Sequence, residues 1–218
     1  MYSPKVTQKH LEKIEAKLGI SLVRHSVSES HELTAYLTSL KAQGKLFDAN
    51  GQYARKEYAI FARNERILYQ QDFFYALRYL TIERDGVEGG GVGKFADTFW
   101  ESQQILLDLI SKLEEKNIDY YEKGYPCDGI MICDNKGGRQ LGHTMVARAI
   151  TVHRIIGWPN TRAIGASVDE DKVQELYSRD KLMIDGLPFF LMPDKWGTPE
   201  GGYDKKGEHI QIDTLGSR

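Results

Sequence analysis

The chain has 218 residues, of which 41% are hydrophobic and 28% charged, and its formal net charge is −2. That length suits one domain, or one core with a smaller appendage, and is enough to bury a hydrophobic interior. The charge balance excludes a globally basic nucleic-acid binder, while leaving room for a motor that grips DNA elsewhere or only as an assembled ring; no apolar run reaches the roughly 20 residues needed to cross a bilayer.

The first third reads as helical. Ser3-Pro4 starts a helix on which Val6, Leu11, Ile14 and Leu18 recur at helical spacing until Gly19 ends it. A second helix is expected from near Ser28, carrying Leu33, Tyr36, Leu37 and Leu40, to Gly44. A third, long helix is expected over about residues 53–80. There Tyr58, Phe61, Ile67, Leu68, Phe73, Phe74 and Leu77 supply an apolar side suited to core packing. Residues 85–94 then hold Gly86, Gly89, Gly90, Gly91 and Gly93. Such a stretch reads as a flexible connection over 86–98, between a helical N-terminal subdomain at 1–85 and a core at 99–218.

Beyond the connection, helices and strands alternate. Residues 102–115 predict an amphipathic helix with Ile105, Leu106, Leu109, Ile110 and Leu113 on one side. Gly129-Ile130-Met131-Ile132-Cys133 is a short apolar run, as expected of a strand buried on both faces. A helix is expected over 144–156, a turn at Gly157-Trp158-Pro159-Asn160, a second buried strand over 162–167 and a covering helix from Asp169 to about Ile184. Residues 209–212 alternate like an exposed strand. This order predicts an α/β fold: a P-loop NTPase-like core whose largely parallel sheet is flanked by helices, preceded by the helical appendage. Cys127 and Cys133 are the only cysteines and have no Cys or His at metal spacing, which fits a reduced cytosolic compartment.

The segment that carries chemistry is Lys136-Gly137-Gly138-Arg139-Gln140-Leu141-Gly142-His143-Thr144. From Gly137 it follows the P-loop pattern of Gly, four residues, Gly, one residue and Thr, with His143 where lysine usually stands. Glycines let the backbone curl so that successive N–H groups face phosphate oxygens, and a helix start adds its partial positive charge. A Thr hydroxyl there completes the coordination of Mg²⁺. Lys136 and Arg139 are placed to supply the charge of the missing lysine.

At Gly138-Arg139-Gln140-Leu141-Gly142-His143-Thr144 the chain resembles the deviant P-loop of the large terminase subunits of tailed phages. The resemblance extends to Trp100-Glu101-Ser102-Gln103, which looks like the family's adenine-recognising glutamine, and to Ala163-Ile164-Gly165-Ala166-Ser167. It also takes in Leu187-Pro188-Phe189-Phe190-Leu191-Met192-Pro193 and Leu215-Gly216-Ser217-Arg218, so that it covers about residues 58–218. The family has one residue fewer between its early lysine and its arginine than Lys136 and Arg139 show. No apolar strand ending in Asp-Glu follows Thr144, so the resemblance implies a chain that stops before its Walker B acid and nuclease domain.

The resemblance implies that the backbone from Gly137 to Gly142 cradles the β- and γ-phosphates of ATP and that Thr144 ligates Mg²⁺. Arg139 is the cation expected nearest the γ-phosphate, with Lys136 its competitor. Gln103 would read the adenine edge, or be a plain polar residue at a helix start. Trp100 or Phe99 would stack on the base or pack in the core. His143 is expected to be a polar filler, His153 and Arg154 to mark a solvated helix side, and Arg162 or Arg179 to be the candidate arginine finger. The implied activity is ATP hydrolysis driving double-stranded DNA into a procapsid. The implied partners are the portal protein and the small terminase subunit, with the chain in a homo-oligomeric ring in the host cell cytoplasm and no membrane association. A helicase-like DNA-dependent ATPase and a non-hydrolysing interaction module are the alternatives.

Overall fold

The computed structural model describes residues 4–84, 91–97, 101–123, 142–164 and 170–192. Helix α1, Pro4–Leu18, is ended by Gly19, whose φ of 62° suits a residue without a β-carbon. Helix α2, Val27–Ala42, begins with a reciprocal cap: the Ser26 hydroxyl accepts from the Glu29 N–H while the Glu29 carboxylate accepts from the Ser26 N–H. The link between the two helices is tied down by Asn64, whose side chain exchanges two hydrogen bonds with the backbone of Val23.

The long helix expected over residues 53–80 is broken. Helix α3 runs Lys56–Gln71 and a single turn, α4, runs Phe73–Ala76. Between them Asp72 is extended (φ −128°, ψ 103°), and its carboxylate accepts from the Tyr75 N–H, so it caps a new start instead of continuing the old helix. Strand β1, Thr81–Arg84, pairs antiparallel with β2, Gly91–Lys94. Part of the glycine-rich stretch expected as a flexible connection is therefore a hairpin strand. The Lys94 ammonium fastens it by donating to Tyr79 O, Thr81 Oγ1 and Gly186 O.

Helix α5, Glu101–Glu122, helix α6, His143–Gly157, and helix α7, Glu170–Asp185, complete the described elements. The expected α/β class is overturned. Among the described residues there are seven α-helices and one two-stranded antiparallel sheet, with no parallel pairing. The helices that were to cover a sheet cover one another: α6 packs on α3, α5 and α7, and its Val146, Ala149, Val152, His153 and Ile156 are all buried. Residues 162–164, expected within a buried strand, are exposed coil, with Ile164 96% exposed. The expected strands at 129–133 and 209–212, and residues 165–167, lie outside the described residues.

One cluster of buried residues runs from Leu11 and Leu37 through Leu68, Tyr69 and Phe73 to Val152, Met183 and Leu191. It joins elements on both sides of the glycine-rich stretch.

Candidate functional site

Helix α6 begins at the glycine that closes the phosphate-loop pattern. Gly142 is its N-cap, held at φ 71° and ψ 7°, with no side-chain cap. That left-handed conformation costs a residue with a β-carbon roughly 1–2 kcal/mol, which is the local reason for a glycine here. The first N–H groups of any α-helix have no acceptor within the helix. A glycine cap, unlike Ser or Asp, brings no side-chain oxygen to satisfy them.

Thr144 is exposed on this first turn and His143 is half-buried. Gln103, the third residue of α5, comes to the same place: its Nε2 donates to Gly142 O at 3.3 Å. The residue expected to serve the base and the last glycine of the phosphate loop, 39 positions apart in sequence, are thus in contact. Lys136, Gly137, Gly138, Arg139, Gln140 and Leu141, together with Phe99 and Trp100, lie outside the described residues.

The rest of α6 is anchored by Arg148, which the sequence did not single out, and by Arg154, which was expected on a solvated side. Arg148, one turn beyond Thr144, makes a two-pronged ion pair with Asp180 of α7: Nε reaches Oδ1 at 2.6 Å and Nη2 contacts Oδ2. Both side chains are largely buried, at 16% and 6% exposure. Arg154 reaches Glu114 of α5 at 3.3 Å and lies over the Trp158 ring, 4.7 Å from its centroid.

His153, expected on a solvated side, is instead 1% exposed. The rings of Tyr69, Phe73 and Trp158 stand 5.0–5.4 Å from its own, and Nε2–H donates to Tyr69 O at 2.7 Å. Burial among these rings pushes its pKa down to about 4, so the imidazole is neutral at pH 7. Of the two arginines considered as fingers, Arg179 is 22% exposed and pairs with Glu175 of its own helix at 2.5 Å, whereas Arg162 is exposed.

A second polar cluster lies under α2 and α3. The carboxylate of Glu65, fully buried, accepts from the hydroxyls of Tyr75 and Tyr79 and contacts His25 Nδ1 at 2.8 Å. Burial pushes both phenols above their ordinary range, so they remain donors. The Glu65 carboxylate and the two phenols are bonded to one another, and His25 closes the cluster on its more exposed side. Among the described residues no three or more His, Cys, Asp or Glu side chains gather where they would hold a metal ion.

Comparison with known proteins returns no family, no curated protein and no solved structure that matches this chain. Among the described residues, no helix is long and apolar enough to cross a membrane.

Proposed function

We propose that this chain is the nucleotide-binding part of a tailed-phage DNA-packaging motor, the large terminase subunit, and that it binds ATP with Mg²⁺ at the amino end of α6. The observation that carries the proposal is the hydrogen bond from Gln103 to Gly142. Two motifs that the sequence assigns to opposite ends of one nucleotide meet at a helix start, where the helix dipole favours an anion. The parallel sheet expected around the loop has no part in the proposal.

In this reading the amides from Gly137 to His143 bind the phosphates, and Arg139 neutralises the γ-phosphate with Lys136 beside it. An exposed Thr144 hydroxyl suits Mg²⁺, which keeps several of its waters and takes few protein ligands. Mg²⁺, held by Thr144, would supply positive charge that offsets the phosphates. The activity is ATP hydrolysis coupled to translocation of double-stranded DNA into a procapsid, in the host cell cytoplasm. The chain would work in a homo-oligomeric ring with the portal protein and the small terminase subunit.

Thermal unfolding with and without Mg-ATP tests this. A ligand held at a hundred times its Kd stabilises the folded state by about 2.7 kcal/mol, so the midpoint should rise by several degrees, and the rise should disappear in Arg139→Ala. An unchanged midpoint at millimolar Mg-ATP would leave the chain an interaction module without nucleotide.

A further inference from the structure

Away from α6, and independent of the nucleotide reading, the geometry points to a nucleophilic histidine: Nε2 of His25 is placed to take a phosphoryl group from a donor of the phosphoramidate class. His25 lies in the connection between α1 and α2 and is held on three sides. Its Nδ1 stands 2.8 Å from Glu65 Oε1, its ring packs 5.4 Å from that of Phe61, and its backbone carbonyl accepts from Arg78 Nη1 at 2.8 Å. The Glu65 side chain has no exposure, whereas that of His25 keeps 21%. Among the described residues Nε2 has no hydrogen-bond partner, and it is not enclosed.

The partners decide which ring nitrogen carries the proton. Both oxygens of Glu65 accept from the Tyr75 hydroxyl, Oε2 also accepts from Tyr79, and burial keeps both phenols protonated. A carboxylate that accepts throughout makes Nδ1 a third donor, so the imidazole lone pair sits on Nε2. The tie to α3 uses Nδ1 alone. In the transfer, the Nε2 lone pair forms the new N–P bond. The donor's own P–N bond breaks, and its electron pair leaves with the amine, which takes a proton from water. The ring keeps its Nδ1 proton and becomes cationic. The Glu65 carboxylate already stands beside that charge, oriented by two phenols, so little has to rearrange as it develops.

The test treats the full chain with phosphoramidate and follows phosphohistidine by phosphorus NMR, with N-acetylhistidine as the reference. Wild type should be modified at His25 Nε2 at least about tenfold faster than the reference, the size of one charge-assisted hydrogen bond formed by the developing cation. Glu65→Gln keeps the shape but loses the charge, and should bring the rate down to that of the reference. Nitrogen NMR of unmodified wild type should find the proton on Nδ1 of His25. A His25 that reacts no faster than the reference, or that carries its proton on Nε2, would overturn the inference and leave the residue a structural tie. A folded Glu65→Gln that reacts at the wild-type rate would overturn it as well. Should Glu65→Gln fail to fold, Tyr79→Phe serves in its place: it removes a competing donor from the carboxylate, so the reaction should be at least as fast as in wild type, and a slower one would count against the proposal. None of these outcomes bears on nucleotide binding at α6.

Discussion

The two ends of helix α6 are built on opposite principles. At its carboxyl end His153 is enclosed by three aromatic rings, Gln70 donates to Gly157 O at 2.5 Å, and Arg154 covers Trp158. There the Gly157 carbonyl and the Nε2 of His153 are matched to Gln70 and Tyr69 of α3. At its amino end stand a glycine with no capping side chain and an exposed Thr144, restrained by one amide from α5. One end is built from packed rings; the other starts on a glycine that brings no capping side chain. The difference locates the candidate site, because an anchored helix is what lets an uncapped start hold a fixed direction toward a ligand.

Breaking the anchor should cost most. Asp180→Ala leaves the Arg148 guanidinium largely buried and without its carboxylate, and about 3–5 kcal/mol of unfolding free energy should be lost in urea titrations. Acid should loosen the carboxyl end next. His153 titrates at 6.5 when unfolded and about 4 when folded, so the folded state holds fewer protons between those values. Its full contribution is present above pH 6.5 and is lost as pH falls toward 4, about 2 kcal/mol of it between pH 7 and pH 5. His153→Phe should lose that much less stability over the same interval, and an identical pH slope would contradict the burial argument.

Smaller effects discriminate between the ends. Gly142→Ala must place a β-carbon at φ 71° and should destabilise by about 1–2 kcal/mol in thermal unfolding. Gln70→Ala removes one hydrogen bond at the other end and should cost about 1 kcal/mol while leaving nucleotide affinity unchanged.

What the sequence disclosed follows from which signals are local. Caps and stops are local: Pro4 and Gly19 bound α1 and Gly44 follows α2, while the Ser26–Glu29 box opens α2 at Val27, one residue before the expected start near Ser28. The break at Asp72 was hidden because aromatic residues continue through it at Phe73 and Phe74, so the apolar pattern never pauses. The hairpin was hidden because two of the four residues of β2 are glycine, which erases the alternation that announces a strand. The parallel sheet was inferred from short apolar runs, which by themselves do not separate a buried strand from other buried segments.

Helix α5 shows how a correct element can carry a partly wrong face: Ile110 is buried and Leu106 packs on the core as expected. Five of the six residues at 105–110 are apolar, so two stripes overlap. Ile105 and Leu109, expected inside, are 63% and 48% exposed, and the inward stripe is Gln103, Leu107 and Ile110. A polar residue at its head disguised that stripe, and the same residue links α5 to the candidate site. Gln103, singled out through the resemblance, and Gly142, His143 and Thr144, singled out by the loop pattern, lie together at one helix start. Arg148 and Asp180 were not, because an ion pair between two helices leaves no trace in either helix alone.

The most direct measurement is equilibrium binding of Mg-ATP to wild type and to Thr144→Ala, with unfolding followed in parallel. An exposed hydroxyl contributes little to the fold, so stability should stay within about 0.5 kcal/mol while affinity falls at least tenfold. Equal affinity in the two proteins, or no binding by wild type, would contradict a phosphate and magnesium site at the amino end of α6.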